Sequence, residues 1–151
     1  MELIIIKATP ADLGEIAAIE NASFTDPWSR AMLASDLTKE NGFFLVAAAD
    51  GAVCGYADGE DICGDFYVNN IAVAEAFRRR RIGEALLRSL IETAKSRRCQ
   101  FISLEVRVTN LPARKLYEKY GFSLVGERRD YYTSPTENAC IYTLYFPSEE
   151  S

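Results

Sequence analysis

The chain has 151 residues, 48% of them hydrophobic, and its 17 Lys and Arg against 22 Asp and Glu give a formal net charge of -5. This size predicts one domain over residues 1–147 with a single core, followed by a disordered tail at 148–151. Histidine is absent, which excludes Ser-His-Asp and Cys-His catalysis and leaves acid–base chemistry to Glu, Asp, Tyr, Lys or Cys.

The first half of the chain predicts a strand, two short helices and three antiparallel strands. The first helix begins at Thr9, an N-cap residue followed by proline, and the second is capped by Ser29. Met32 and Leu33 of the second helix are expected to face inward. The three strands are predicted over residues 43–49, 52–57 and 65–73. In the last of them Asn69 and Asn70 interrupt the alternation, which indicates a bulge or bend.

The second half predicts a helix, a strand, a second helix and two closing strands over residues 123–131 and 139–146. The first of these helices has the clearest apolar stripe of the chain, formed by Gly83, Leu86, Leu87, Leu90, Ile91 and Ala94. The strand covers residues 101–106, Asn110 opens the next helix, and Gly121 ends it. This order predicts an α/β fold with a mixed central sheet of about seven strands and about four helices.

The sequence carries no membrane or secretory signal. Its longest apolar run, residues 43–49, is far shorter than the roughly 20 residues that cross a bilayer. The start lacks a basic segment followed by a long apolar one. The cysteines are widely spaced, which predicts free thiols in a reducing compartment. We therefore expect a cytoplasmic protein that does not bind membranes.

Four consecutive arginines, residues 78–81, directly precede the N-terminus of the striped helix. Guanidinium groups and free backbone N–H groups in one place suit a pyrophosphate. A solvated basic loop explains the pattern equally well when it is taken alone, because charge runs on loops are common.

The stretch resembles the acetyl-coenzyme A motif of the GNAT superfamily, Q/R-x-x-G-x-G/A after a strand that ends in an IAV-like run. Arg78 and Gly83 match its ends, and Arg81 stands in place of the middle glycine. The resemblance implies a GNAT domain over residues 1–147, with acetyl-coenzyme A as co-substrate and no metal. It implies the following coenzyme-binding residues: Ile71, Ala72 and Val73 for the acetyl and pantetheine end, and Arg79, Arg80, Arg81, Ile82, Gly83 and Glu84 for the pyrophosphate.

A second segment resembles the closing half of the same motif, N-x-x-A-x-x-L-Y-x-x-x-G-F, over residues 110–122. The resemblance implies that Tyr117 is the catalytic acid, that Glu105 on the preceding strand is the general base, and that Asn110 holds the pantetheine arm. From the residues alone, Tyr117 also fits a core aromatic packed under the sheet.

Three shorter signals, FTDPWS, LEVR and YY-x-x-P-x-E-x-A, resemble the bacterial ribosomal-protein alanine N-acetyltransferases. This resemblance implies acetylation of the N-terminal alanine of small ribosomal subunit protein 18, through the basic N-terminal peptide of that protein. It implies that Trp28, Tyr131 and Tyr132 bind the acceptor and that the enzyme is a monomer or weak homodimer.

Three alternatives remain open at this point. The chain could acetylate another amine, such as a different protein N-terminus, a lysine side chain or a small molecule. It could be a non-catalytic coenzyme-binding module, for which Arg81 in place of glycine is the hint. A nucleic-acid binder built on residues 78–81 is disfavoured, because the net negative charge repels phosphate backbones, and we expect no direct nucleic-acid binding.

Overall fold

The computed structural model describes residues 2–78 and 81–147. Within these residues, seven strands and four α-helices follow the predicted order: β1 (Ile4–Lys7), α1 (Leu13–Ser23), α2 (Arg30–Leu37), β2 (Gly42–Ala49), β3 (Ala52–Ile62), β4 (Asp65–Val73), α3 (Ile82–Ser96), β5 (Phe101–Arg107), α4 (Leu111–Lys119), β6 (Ser123–Tyr132) and β7 (Glu137–Tyr145). Single 3-10 turns precede α1 and follow β4. The mixed α/β fold is confirmed, and the predicted tail at 148–151 lies outside the described residues.

The strands form one sheet in the order β1-β2-β3-β4-β5-β7-β6. All neighbours are antiparallel except β4 and β5, which run parallel. In the described chain, β4 and β5 pair from Asp65 opposite Phe101 to Tyr67 opposite Ser103 and no further. Both strands continue for several residues beyond that point, so they diverge and leave a gap in the middle of the sheet.

The predicted bulge in β4 is confirmed at the start of this divergence. Val68 lies opposite Gly59 and Asn70 lies opposite Asp58, so Asn69 is the extra residue, without a register partner on β3. An extra residue bends its strand and increases the local twist. The bulge therefore lies where β4 turns away from β5.

Helices cover both faces of the sheet. The predicted stripe of α3 is buried, with Ile82 in the first position instead of Gly83: Ile82, Leu86, Leu87, Leu90, Ile91 and Ala94. These side chains pack on Phe66 and Ile102 of the sheet, while Ile16 and Leu33 bring α1 and α2 against the opposite face. Burial of each large apolar side chain contributes about 1.5–3 kcal/mol, so both helical layers stabilise the divergent sheet.

The helix ends follow the predicted capping residues. Ser29 Oγ accepts the Met32 N–H at 3.2 Å, and Asn110 Oδ1 accepts the Ala113 N–H at 3.3 Å. Gly121, with φ of 91°, ends α4 in the left-handed region. The inward placement of Met32 is wrong, because its side chain is 49% exposed while the adjacent Leu33 takes the buried position.

Two further expectations concern the length of β3 and the cysteines. β3 runs on to Ile62, five residues past its predicted end, because its pairing with β4 continues to Ile62 opposite Asp65. All four cysteines are free thiols, as predicted. Among the described residues, no helix is long and apolar enough to cross a membrane.

Candidate active site

The divergence of β4 and β5 opens a cleft of 1370 Å³. Its walls come from the loop between α1 and α2, from β4 and β5, from the start of α4, and from β6 and β7. Seven side chains predicted for catalysis, coenzyme or acceptor line this one cleft: Trp28, Ile71, Glu105, Asn110, Tyr117, Tyr131 and Tyr132. Segments that are distant in the chain therefore meet at the predicted site.

Glu105 of β5 lines the cleft with one carboxylate oxygen in an ion pair and the other buried. Oε1 lies 3.1 Å from Arg128 Nε. Oε2 is buried and has no hydrogen-bond partner of good geometry in the described part of the chain. Burial, and then the nearby Glu105 carboxylate, raise the pKa of Tyr131. A carboxylate oxygen without a donor of its own is suited to accept a proton from a bound molecule.

Tyr117 lies on α4 at the opposite side of the gap. Its ring packs on Phe122 and Tyr142, with centroid separations of 5.8 Å and 6.0 Å. Burial raises the pKa of Tyr117 to about 12, so its hydroxyl stays protonated at neutral pH. Tyr117 is a packed aromatic that also lines the cleft, so its packing is compatible with the predicted catalytic role.

Tyr131 and Tyr132 line one side of the cleft as an edge-on pair, with ring centroids 5.0 Å apart. Arg107 at the end of β5 fixes this corner, because its guanidinium lies 4.5 Å from the Tyr132 ring centroid. The same group donates to the Pro135 and Thr133 carbonyl oxygens, both at 2.9 Å. Sequence reasoning assigned no role to Arg107, although it belongs to the LEVR segment that carried the resemblance.

A second hollow, of 380 Å³, lies beside the first, where α3 begins. It is lined by Val73, Arg81, Ile82, Gly83 and Glu84 from the predicted coenzyme site, together with Phe77, Arg78, Pro112 and Leu116. Ala72 lines neither hollow, because its side chain is buried in the core on the α1 side. The predicted contacts at Arg79 and Arg80 lie outside the described residues.

The hollow offers backbone N–H groups at the start of α3. The first N–H of the helix that reaches a carbonyl four residues back belongs to Ala85, which bonds to Arg81 O at 3.1 Å. The N–H groups of Ile82, Gly83 and Glu84 precede it and have no acceptor of this kind within the helix. Such groups, together with the helix dipole, favour an anion.

The Glu84 side chain is turned toward α4. Its Oε1 lies 2.8 Å from Lys119 Nζ and accepts the Tyr120 hydroxyl at 2.6 Å. These two donors lower the pKa of Glu84. The carboxylate therefore joins α3 to α4, and a phosphate in the hollow would meet the backbone of this residue.

The edge of β4 also presents free backbone donors to the gap. Ala74 N–H donates to Cys54 O on β3 at 2.8 Å. Because successive N–H groups of an antiparallel strand point to opposite sides, those of Ile71 and Val73 point away from β3, toward the gap. They are placed as an oxyanion site would require. No group of three metal-ligating side chains is found among the described residues.

A mixed sheet that parts between two parallel strands, with a helix N-terminus beside the gap and a carboxylate and a tyrosine lining it, is the architecture of a GNAT acyltransferase. The Acetyltransferase (GNAT) family model matches residues 13–122. The chain belongs to this family, whose enzymes use acetyl-coenzyme A, and the family resemblance seen in the sequence is confirmed.

Relatives narrow the comparison within the family. A Bacillus subtilis protein described as a candidate ribosomal protein bS18-alanine N-acetyltransferase is 38% identical over 86% of this chain and 87% of its own. The N-alpha-acetyltransferase RimI of Mycobacterium tuberculosis is 35% identical over 90% of this chain and 87% of its own. The crystal structure of the Escherichia coli ribosomal-protein-S18-alanine N-acetyltransferase superposes with a TM-score of 0.91 at 30% identity, covering 99% of both chains.

Proposed function

We propose that this chain transfers the acetyl group of acetyl-coenzyme A to the N-terminal alanine of ribosomal protein bS18. The observation that carries the proposal is the meeting of Glu105 and Tyr117 on one cleft that is also walled by Trp28, Tyr131 and Tyr132. The names of the similar proteins from B. subtilis and E. coli support the acceptor. A ribosomal protein acceptor would place the enzyme in the cytoplasm.

The residues present fit the coenzyme. The hollow at the start of α3 combines Arg78, Arg81 and three free N–H groups, which would hold the pyrophosphate. The cleft continues from it along β4 and α4, since β4 contributes Val73 to the hollow and Ile71 to the cleft. Bound there, acetyl-coenzyme A supplies an activated acetyl thioester.

Glu105 would accept a proton from the acceptor amine, directly or through a water molecule. An α-amine with a pKa of about 8 is mostly protonated at pH 7 and must be neutral to attack. The backbone N–H groups of Ile71 and Val73 would stabilise the negative charge that develops on the carbonyl oxygen. Tyr117 would give its hydroxyl proton to the departing thiolate and would recover one, through water, from the amine nitrogen as the amide forms, while Glu105 would release the first amine proton to solvent.

The charges of the cleft suit a basic acceptor peptide. Glu20, Asp26, Glu60 and Glu137 line it in addition to Glu105. Its two arginines are each paired with a carboxylate: Arg107 with Glu137 at 3.1 Å, and Arg128 with Glu105 at 3.1 Å. The remaining negative charge would attract a positively charged N-terminal segment.

The test is mass spectrometry of peptides after incubation with enzyme and acetyl-coenzyme A. The panel contains a basic peptide that begins with alanine, the same peptide beginning with serine, methionine or leucine, and the alanine peptide blocked at its N-terminus but carrying lysine. We expect acetylation of the alanine α-amine and none of the blocked peptide. Preferential labelling of lysine side chains would overturn the acceptor assignment.

A further inference from the structure

One buried carboxylate at the cleft is not used by the proposed mechanism. Glu20 on α1 is 1% exposed, yet it contributes to the cleft wall. A carboxylate this deeply buried is costly unless hydrogen-bond donors surround it. Its partners therefore indicate what it does.

Three donors from three separate segments meet at Glu20. Oε1 accepts the Tyr56 hydroxyl of β3 and, at 3.2 Å, the Asn70 side-chain amide beside the β4 bulge. Oε2 accepts the Trp28 backbone N–H at 2.8 Å. Burial and the adjacent carboxylate raise the pKa of Tyr56, so its hydroxyl remains a donor at neutral pH. Two bonds anchor Glu20 to the sheet, and the third holds the loop between α1 and α2.

The held loop forms one side of the acceptor cleft. Its residues Phe24, Thr25, Asp26 and Trp28 line the cleft. Trp28 packs against the apolar cluster of α1 and α2, which limits the movement of its side chain. Hydrogen bonds to a charged acceptor contribute more than neutral ones, which makes the single bond to Oε2 an effective anchor for the loop.

We propose that Glu20 is a positioning residue that fixes Trp28 as the wall against which the first acceptor residue is selected. The inference rests on the proposed function, because it takes the peptide N-terminus to lie between this loop and the tyrosine pair. With the indole fixed, a small first side chain fits and a larger one meets the wall. If the loop is released, Trp28 can move aside, and the enzyme discriminates less between small and large first side chains of the acceptor.

The variant Glu20→Gln tests this at the level of one bond. The amide oxygen can keep the two bonds of Oε1, whereas the amide nitrogen replaces Oε2 and faces the Trp28 N–H donor to donor. The chain has one tryptophan, so protein fluorescence excited at the indole band reports on Trp28 alone. We expect a red-shifted emission and stronger quenching by acrylamide.

Steady-state kinetics give the second readout. KM for the alanine peptide should rise about tenfold, equivalent to about 1.4 kcal/mol, while the coenzyme dissociation constant stays within a factor of two. The ratio of kcat/KM for the alanine peptide to kcat/KM for the leucine peptide should decrease. Tyr56→Phe is the matched control, because it removes a bond to Oε1 and leaves the Oε2 bond to Trp28. Its emission should equal that of the wild type.

Glu20→Asp, which keeps the charge but shortens the reach, should give the same red shift if Glu20→Gln does not fold. Wild-type emission and peptide selectivity in a folded Gln or Asp variant would overturn the inference. If the wild type acetylates no peptide, the proposed function fails, and peptide binding by calorimetry with the emission of Trp28 still decides the role of Glu20.

Discussion

Replacing Glu105 with glutamine separates the proton-accepting role of this side chain from its shape. Glutamine keeps the volume and can still accept a hydrogen bond from Arg128, but it cannot take a proton. The ion pair that is lost joins side chains that are 57% and 25% exposed. Such a pair contributes roughly 0–1 kcal/mol, so the midpoint of thermal unfolding should move little. A fall in turnover would therefore not reflect unfolding.

The expected fall follows from the protonation of the acceptor. A general base contributes about 10² to 10⁴ in rate, and turnover on a basic alanine peptide at pH 7 should drop within this range. With a pKa of about 8, roughly a tenth of the α-amine is neutral at pH 7 and roughly nine tenths at pH 9. The deficit of the variant relative to wild type should therefore shrink about tenfold over these two pH units.

The assay is single-peptide turnover with saturating acetyl-coenzyme A between pH 6.5 and 9, read by mass spectrometry. Glu127→Gln on β6 is the matched control, because Glu127 is exposed, carries the same charge and does not line the cleft. It should keep the wild-type rate and pH profile. Near-normal turnover of Glu105→Gln at pH 7, or a deficit that is constant with pH, would refute the role of this residue as general base.

The remaining predictions concern the acid, the coenzyme hollow and a buried carboxyl pair. Tyr117→Phe should lower kcat about 10²-fold and leave coenzyme affinity by calorimetry unchanged, since only the proton donor is lost; parallel loss of affinity would instead indicate a packing role. Gly83→Val should raise the coenzyme dissociation constant tenfold or more with little change in thermal stability, because a Cβ there would meet β4 at an ordinary 3.5 Å; an unchanged constant would move the pyrophosphate elsewhere. Burial and the adjacent Asp36 raise the pKa of Asp58 in the folded protein above its value in the unfolded chain. The protonated Asp58 carboxyl therefore stabilises the fold fully at pH values below the unfolded-state pKa. As pH rises from the unfolded-state pKa toward the folded-state pKa, this stability is lost by up to about 1.4 kcal/mol per pH unit. Asp58→Asn should flatten this slope in urea unfolding between pH 5 and 8, and an equal slope in both proteins would refute the assignment of the slope to Asp58.

Most of the fold could be predicted because it is encoded in local patterns. The stripe of α3, the caps at Ser29 and Asn110, and the stop at Gly121 all act within a few residues of chain. The Asn-Asn break in β4 indicated a bulge for the same reason. Local chemistry of this kind is legible in sequence, since the partner atoms lie within one helical turn or one strand.

The parts of the site that escaped prediction depend on contacts between distant segments. Glu20 lies within an ordinary helix, and its role appears only when Tyr56 and Asn70 are brought beside it, 36 and 50 residues further along the chain. Arg107 likewise reaches carbonyl oxygens 26 and 28 residues away. The Asn-Asn break indicated the bulge in β4 but not the parting of β4 from β5, because the parting depends on where pairing between two distant segments stops. For Met32, the period of the helix allowed two neighbouring positions, and packing selected Leu33.

Arg81 stands where the family motif has glycine, and its backbone adopts a conformation that glycine favours. The residue caps α3 with φ of 59° and ψ of 25°, in the left-handed region that glycine enters without strain and that costs other residues roughly 1–3 kcal/mol. The conformation orients the start of α3 so that its first N–H groups open on the hollow. These donors belong to the backbone and are the same for any side chain at position 81. What arginine changes is the space above them, because its side chain lines the hollow together with Arg78. We infer that the Arg81 side chain keeps a bound phosphate farther from the backbone than glycine would, and that its guanidinium adds a positive charge beside that phosphate.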